Sequence, residues 1–365
     1  MSLRLPLREL RRTPSRFVVA TAVLSFLATL LLFLGGLLDG LYRGSTGAIR
    51  AQNADIVVYS ASARDSFLRS RITTEVRSLV EKAPGVRAVG GLGVVLLGAH
   101  VPGQKELADT AVLGYELAPR GLPTPPADGE GIADERLLDS GVRVGDTIEV
   151  GPARTPVRII GTTSDSNYLL QGAVWVNLGT WRAVQNANRP DAAVTDGVVQ
   201  ALVVRGGSEV AGAIDQATGG ATVSRTKDAA VLALPGVRQQ QATFNQIIGT
   251  TLMVVLAVVG LFFSLLTLER LAMFGVLKAI GASGRRLFVG VVLQAAVVAT
   301  VSFVVGSLLA LAAKAGMPAK VPLQLLPSRF VFTFVGLQVA AVLGSAISLR
   351  RVLKVDPASA IGAST

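Results

Sequence analysis

The side chains that most often carry catalysis or bind metals are scarce in this chain. Its 365 residues include one histidine, His100, and no cysteine, which excludes thiol catalysis, thiolate metal sites and disulfides. His100 follows a strand-like apolar run, where a lone histidine is more typical of a structural residue than of a ligand. The sequence supports no Ser–His–Asp arrangement and no cluster with metal-ligand spacing. We therefore predict no catalytic residue, no metal site and no enzymatic activity of its own.

The side chains best suited to bind a ligand lie beside two long apolar runs. We predict that seven of them rim a substrate site open to the outer leaflet of a membrane: Asp39, Tyr42, Arg43, Phe244, Asn245, Gln246 and Met253. The competing interpretation is that they anchor helix ends at the headgroup level, where tyrosine and arginine are common.

Four apolar runs define the architecture that must position these residues. Half of the residues are hydrophobic and 16% are charged, with a mean hydropathy of +0.54, whereas a soluble domain carries about 25% charged residues. The runs, which contain no ionisable side chain, are residues 17–38, 247–268, 287–313 and 330–349. Each can cross a hydrocarbon core about 30 Å thick. The first is longer than the apolar region of a signal peptide, about 7–15 residues, so we expect it to be retained.

The net charge of +11 is distributed in a way that predicts orientation. Basic residues outnumber acidic ones before the first run, between the second and third runs, and after the fourth, whereas residues 39–246 are nearly balanced. By the positive-inside rule, the three basic segments are cytoplasmic and the long segment is external. Because the basic residues are divided among juxtamembrane clusters, nucleic acid is a poor partner. We predict a multi-pass protein of the bacterial cell (inner or plasma) membrane with both termini in the cytoplasm.

The long external segment has the pattern of a mixed α/β domain. Apolar and β-branched stretches predict strands at residues 55–59, 86–97, 111–114, 147–150, 157–160, 174–176 and 198–204. Helical spacing predicts helices at residues 70–82, 134–140 and 209–217. We also expect a hairpin across residues 142–161, and a loop at residues 121–129 that marks a candidate subdomain boundary.

The predicted fold class is an integral membrane protein with four transmembrane α-helices, one followed by three. A large mixed α/β extracytoplasmic domain is inserted between helices 1 and 2. The predicted segments are a cytoplasmic amphipathic helix (1–16), transmembrane helices (17–41, 241–268, 287–313 and 330–349), the external domain (42–240), a cytoplasmic coupling segment (269–286), an external loop (314–329) and a cytoplasmic tail (350–365).

The segment between the second and third apolar runs carries the most informative motif. It reads ERLAMFGVLKAIGASGRR from residue 269 to residue 286. Its pattern predicts a helix of about three turns that Gly281 ends, and Ser283 can cap the helix that re-enters the membrane. A short amphipathic helix between two spans is a projection that a soluble partner can bind.

This motif resembles the coupling segment of the permease family that includes MacB, FtsX and the lipoprotein-releasing proteins LolC and LolE. The family pattern reads approximately E-R-x-x-E-x-G-x-L-+-A-I-G-A-S, and the chain departs from it at residues 272–274. The first residues, LRELRRTP (7–14), and the tail, RRVLKVDPASAI (350–361), also resemble this family. The resemblance assigns ATPase coupling to Glu269, Arg270, Gly275, Leu277, Lys278, Ala279, Ile280, Gly281 and Ser283.

The resemblance implies that the chain is the membrane half of an ABC assembly. The sequence has no G-x-x-x-x-G-K-[ST] loop, so ATP and Mg²⁺ would be bound by a separate ABC ATPase, present in two copies beside a permease homodimer in membrane lipid. The chain would need no cofactor of its own. The resemblance also implies that no substrate tunnel crosses the membrane centre, which agrees with the lack of ionisable residues in the apolar runs.

Two functions remain open from the sequence. The first is export of a hydrophobic or amphiphilic substrate, such as haem, a lipid, a peptide or a drug, from the outer leaflet by mechanotransmission. If the substrate is haem, as the resemblance to haem-exporting permeases suggests, the side chains able to bind its iron are Tyr42, Met253, Met317 and His100. The alternative is FtsX-like signalling, in which the external domain switches a cell-wall hydrolase and no solute moves. The strand signals and the absence of heptads in the external segment favour export.

Overall fold

The chain folds into two compact units, each with its own hydrophobic core. The structure is a computed structural model that describes residues 14–269, 284–318 and 321–353. The helical unit comprises Met1–Gly40 and Gln241–Thr365, and the α/β unit comprises Leu41–Gln240. The region predicted as a loop and subdomain boundary, residues 121–129, is a loop but lies inside the single α/β unit. A boundary between subdomains of this unit stays a prediction.

The helices and strands of the described residues begin with one long helix and end with three. In chain order they are α1 (Pro14–Arg50), β1 (Ile56–Ser60), α2 (Thr74–Lys82), β2 (Ala88–His100), β3 (Ala108–Tyr115), β4 (Glu130–Asp134), α3 (Glu135–Leu138), β5 (Thr147–Val150), β6 (Thr155–Thr163), β7 (Gly172–Asn177), α4 (Leu178–Asn188), β8 (Ala201–Arg205), α5 (Val210–Ala217), β9 (Thr222–Thr226), α6 (Lys227–Ala233), α7 (Val237–Glu269), α8 (Gly284–Ala315) and α9 (Pro327–Leu353).

Four of these helices are long and apolar enough to cross a membrane. They contain the candidate spans Phe17–Arg50, Val237–Glu269, Val289–Ala315 and Pro327–Ala346. One span precedes the α/β unit and three follow it, which confirms the predicted fold class. The amphipathic helix predicted for residues 1–16 and the tail predicted for residues 350–365 lie outside the described residues, except for residues 14–16 in α1 and 350–353 in α9.

Small residues bring the backbones of the spans close together in the helical unit. A Cβ atom on Gly344 of α9 would lie 2.9 Å from the backbone nitrogen of Gly260 in α7. A Cβ atom on Gly306 of α8 would lie 2.7 Å from the carbonyl oxygen of Ser25 in α1. The Thr29 hydroxyl donates to the Gly306 carbonyl at 3.2 Å. Because lipid provides little hydrophobic driving force between helices, close backbone contact and such hydrogen bonds stabilise their association.

The α/β unit is built on a nine-stranded sheet in which six strands close into a ring. The strand order is β3-β7-β4-β6-β5-β2-β8-β1-β9, and an additional pairing joins β3 to β2. The long strand β2 makes this closure because it pairs antiparallel with β3 along most of its length and with β5 at its end. The pairs β3–β7 and β4–β6 are parallel. Strands β8, β1 and β9 continue the sheet on the other side of β2.

Helix α4 covers one face of the closed sheet with a fully buried tryptophan. The Trp181 ring occupies the space that a Cβ atom would fill on Gly93 of β2, and its side chain also lies against Gly114 of β3. Valine and isoleucine side chains from five strands of the ring, together with Ala133 of β4, pack in the same core cluster. Glycine is therefore required at these two strand positions to let the indole approach the backbone.

The strand predictions are confirmed for seven strands, with shifts of a few residues at their ends. The residues 142–161 form the expected hairpin, in which Val150 pairs with Thr155. Strands β4 and β9 and helices α4 and α6 were not predicted. Strand β4 carries a single large apolar side chain, Ile132, and β9 carries only Val223, so neither shows the alternation that marks a strand.

We expect Gly93→Ala to destabilise the α/β unit, because the added methyl group overlaps the Trp181 indole. Overpacking of this kind costs about 1–3 kcal/mol, which corresponds to a thermal midpoint lowered by about 3–10 °C in a unit of this size. The matched control is Gly161→Ala in β6, where a Cβ atom meets nothing within 4 Å. Equal midpoints for the two variants, measured on the purified chain in detergent, would contradict this account of the packing.

Candidate substrate-binding and coupling residues

Asp39, a predicted substrate-binding residue, forms an ion pair inside the helical unit. Its carboxylate accepts two hydrogen bonds from Arg329 at the start of α9, with Nε–Oδ2 at 3.0 Å and Nη2–Oδ1 at 2.5 Å. The two side chains are 17% and 22% exposed. The Arg329 side chain lies against Gly35 of α1, where a Cβ atom would collide with it. The pair therefore joins α1 to α9 near the outer ends of the predicted spans.

The loop before α9 covers the adjacent face of α1. The backbone N–H of Gln324 donates to the Gly36 carbonyl at 3.0 Å. A Cβ atom on Gly40 would collide with the carbonyl group of Pro322. Glycine at both positions lets the loop backbone contact the helix backbone directly. Asp39 is thus part of a packed junction within the helical unit.

Tyr42 and Arg43, the other two candidates on α1, belong to the α/β unit. The Arg43 guanidinium lies 3.9 Å from the Asp165 carboxylate. The guanidinium carbon of Arg50 lies 5.9 Å from the centroid of the Tyr42 ring, a cation–π distance. The ring also packs against the core of the unit. All three polar candidates on α1 therefore have partners within the protein.

The candidates on α7 are more accessible than those on α1. Phe244 is partly buried, whereas Asn245, Gln246 and Met253 are exposed, with 68% of Met253 accessible. Gln246 and Met253 are two helical turns apart and share a face with Thr250, whose hydroxyl donates to the Gln246 carbonyl at 2.9 Å. We call Gln246, Thr250 and Met253 the α7 stripe. Thr250 was missed from the sequence, although its spacing of four residues from Gln246 could have identified it.

The side chains considered as haem ligands are divided between the two units, with Tyr42 and His100 in the α/β unit and Met253 and Met317 in the helical unit. His100 is the exposed last residue of β2, opposite Glu149 of β5. Met317 follows α8 in the helical unit. Among the residues that the structure describes, no group of three or more His, Cys, Asp or Glu side chains could hold a metal ion. Tyr168 is 3% exposed, and burial raises its pKa, so its phenol stays protonated in the core of the α/β unit.

The predicted ATPase-coupling residues fall almost entirely outside the described residues. Glu269 is the last residue of α7 and is exposed. Arg270 and the rest of the set, from Gly275 to Ser283, follow it in the interval between α7 and α8. Their assignment to an ATPase contact stays a prediction.

The arrangement of one span, an inserted α/β unit and three spans is that of a multi-pass membrane protein. A family model described as "FtsX-like permease C-terminal" matches residues 245–357. The chain is 30% identical over 372 residues to an ABC transporter permease of Mycobacterium tuberculosis, Rv2563, and the match covers 98% of each chain. The chain therefore belongs to the FtsX-like family of ABC transporter permeases, and the predicted resemblance is confirmed.

The chain is also similar to a second permease and to a solved periplasmic domain. The chain is 21% identical over 357 residues to a candidate hemin transport system permease protein, HrtB, of Staphylococcus haemolyticus, with 97% of this chain and 98% of that protein covered. The crystal structure of the periplasmic region of MacB from Actinobacillus actinomycetemcomitans matches 49% of this chain and 92% of its own, with 12% identity and a TM-score of 0.36.

We expect Asp39→Asn to destabilise the helical unit, because it leaves the largely buried Arg329 guanidinium without a carboxylate. Loss of a charged hydrogen-bonded partner costs about 1–3 kcal/mol. Glu149→Gln is the control, since its pair with Arg154 is exposed and such pairs contribute about 0–1 kcal/mol. The measurement is the thermal midpoint of the purified chain in detergent, and the exchange Asp39→Arg with Arg329→Asp should recover part of the loss. Equal midpoints for Asp39→Asn and Glu149→Gln would contradict the structural role of the pair.

Proposed function

We propose that the chain is the permease subunit of an ATP-driven complex that exports a hydrophobic or amphiphilic substrate from the outer leaflet by mechanotransmission. The observation that carries this proposal is the chemistry of the four spans. In the described part of the helical unit, the polar contacts between spans are made by hydroxyl, amide and backbone groups, and the Asp39–Arg329 pair stands at the end of α1's apolar run. A pathway for ions or protons through the bundle would require ionisable groups along it.

The energy source would be a separate ABC ATPase, because the chain has no phosphate-binding loop of its own. Membership in an ABC permease family supports such a partner. We propose two ATPase copies and a permease homodimer, with the segment from Glu269 to Ser283 in contact with the ATPase. The substrate would meet the exposed α7 stripe from the lipid, with an apolar body against Met253 and a polar group at Gln246 or Asn245.

The class of substrate that we favour is a planar or elongated amphiphile, with haem as the first candidate. The similarity to the HrtB protein along nearly the whole chain supports this choice. Met253 supplies a soft, polarisable thioether at an exposed position of the α7 stripe. Lipids, peptides and hydrophobic drugs share the same mixed chemistry and are the alternatives that a panel of probes distinguishes.

The proposed orientation places both termini and the coupling segment in the cytoplasm and the α/β unit outside. The chain has no native cysteine, so single cysteines report topology without background. Cysteines at Ser62 and Thr124, which are exposed in the α/β unit, should react with a membrane-impermeant thiol reagent in intact cells. Cysteines at Ser2, Ser283 and Ser364 should react only after the cells are permeabilised. Labelling of Ser283→Cys in intact cells would overturn this orientation.

The export proposal predicts that hemin stimulates ATP hydrolysis by the reconstituted permease–ATPase complex through the α7 stripe. We expect the double variant Gln246→Ala, Met253→Ala to raise the half-saturating hemin concentration about tenfold, since it removes roughly 1.4 kcal/mol of contact energy. The control is Leu308→Ala on α8, a side chain that is 62% exposed and belongs to another helix. It should leave the half-saturating concentration unchanged.

The same assay distinguishes export from the signalling alternative. Stimulation of the wild-type complex by a lipid, a peptide or a drug but not by hemin would retain export and replace haem as substrate. A complex that responds to none of these probes, while its α/β unit binds a cell-wall hydrolase, would contradict export and favour FtsX-like signalling. An unchanged hemin response in the α7 double variant would mean that the stripe only contacts lipid.

A further inference from the structure

The loop between β6 and β7, residues 164–171, contacts the last turns of α1 within the α/β unit. Three main-chain hydrogen bonds join them: Ala48 N–H to Asn167 O (2.9 Å), Leu169 N–H to Ser45 O (3.0 Å) and Leu170 N–H to Gly44 O (2.9 Å). In an α-helix these backbone groups ordinarily bond within the helix. The helix here has the sequence GSTG at residues 44–47, whose residue types have low helix propensity. The loop therefore supports a stretch of α1 that is weak by itself.

An ion pair also stabilises the contact between α1 and the loop. The Arg50 guanidinium at the end of α1 donates to both carboxylate oxygens of Asp165, at 3.0 Å and 2.5 Å. Its Nε also donates to the Thr46 hydroxyl one turn earlier, at 3.0 Å. Arg43 lies 3.9 Å from the same carboxylate. Asp165 thus connects the loop to two arginines that are seven residues, or two turns, apart on α1.

The loop is itself fixed to the sheet. Asp134, at the end of β4 and 1% exposed, accepts hydrogen bonds from the Ser166 backbone at 2.9 Å and the Ser166 hydroxyl at 2.7 Å. The Tyr168 ring lies 6.0 Å from the ring of Phe67 in the core. A buried carboxylate with both donors in place is costly to displace. The contact therefore reaches from α1 to the centre of the α/β unit.

The backbone of the loop adopts conformations that L-residues rarely occupy. The φ angles are 52° at Asp165, 48° at Leu169 and 67° at Leu170. A left-handed conformation is unfavourable for side chains such as leucine and persists only when surrounding contacts impose it. Two such leucines in sequence, both donating to α1, indicate that the loop is shaped by its contact with the helix rather than by the need to connect β6 to β7.

We propose that residues 164–171 form a rigid joint that fastens α1 to the α/β unit, with Asp165 as its positioning residue. The joint stays closed through the transport cycle, so a displacement of the outer end of α1 becomes a displacement of the whole sheet. This inference rests on the proposed function, because such a joint matters only where helix movement does work on the α/β unit. The coupling of α1 to the α/β unit is thereby assigned to residues 164–171.

Amide hydrogen exchange on the permease–ATPase complex tests the joint without any substrate. We expect the amides of Ala48, Leu169 and Leu170 to exchange equally slowly in the nucleotide-free and ATP-bound complexes. Asp165→Asn should speed their exchange about threefold to fivefold. The matched control is Asp65→Asn, which removes the similar pair between Asp65 and Arg225 of β9. A large increase in exchange on ATP binding, or equal exchange in the two variants, would overturn the proposal.

An engineered disulfide between α1 and the loop provides the second test. A Cβ atom on Gly44 would lie 2.9 Å from the end of the Leu170 side chain, so Gly44→Cys with Leu170→Cys should form a disulfide in this cysteine-free chain. If the joint stays closed, the disulfide should not impair the transport cycle. We therefore expect the ATPase rates of the oxidised and reduced complexes to lie within twofold of each other. The control is Gly44→Cys alone. Loss of activity on oxidation that reductant restores would show that the joint must open.

Different results would contradict the export proposal and the rigid-joint proposal. If hemin and the other amphiphiles do not stimulate the wild-type complex, export is contradicted, whereas the exchange and disulfide results still decide whether the joint is rigid. If the wild-type complex is stimulated and Asp165→Asn keeps the full ratio of stimulated to basal rate, the joint has no part in coupling. We expect that ratio to fall at least twofold in Asp165→Asn and to stay unchanged in Asp65→Asn.

Discussion

The structure depends on the glycines of α1, which let other backbone segments touch the helix directly. Gly36 and Gly40 face the loop before α9 in the helical unit, and Gly44 and Gly47 face residues 165–170 in the α/β unit. Added Cβ atoms at these positions would meet backbone or side-chain atoms at less than contact distance. Because the four glycines recur every three or four residues, they lie along one side of the helix. One helix thus serves as a packing surface in both units.

Charge pairs fix the contacts that the glycines permit. In each unit an arginine–aspartate pair stands beside the glycine contact, Arg329 with Asp39 in one and Arg50 with Asp165 in the other. Both pairs are bidentate, a geometry that adds directional specificity to the attraction. Asp39 and Arg43, whose types and position suggested a ligand contact, therefore have charged partners within the protein. Of the residues predicted for the substrate site, Asn245, Gln246 and Met253 are exposed.

The sequence predicted elements whose signal lies within a short segment. It did not predict contacts between residues that are far apart in the chain. The four spans follow from unbroken apolar runs, and most strands follow from β-branched residues. Strand β9 has one valine. Helix α4 was missed because its largest apolar side chain, Trp181, packs on glycines of β2 and β3, a contact that the sequence of the helix does not reveal. The partner of Asp39 lies 290 positions away and that of Arg50 lies 115 positions away, so no spacing rule could connect them.

The pairing of the first and last strands determines when the α/β unit can be completed. Ile56 at the start of β1 pairs with Thr226 at the end of β9, and on its other side with Val204 of β8. Strand β1 therefore has no neighbour until the chain up to β8 has been synthesised. Contacts of such sequence separation slow folding, because loop-closure entropy must be overcome before they form. Until then the unfinished unit exposes unpaired strand edges, which can pair with other chains.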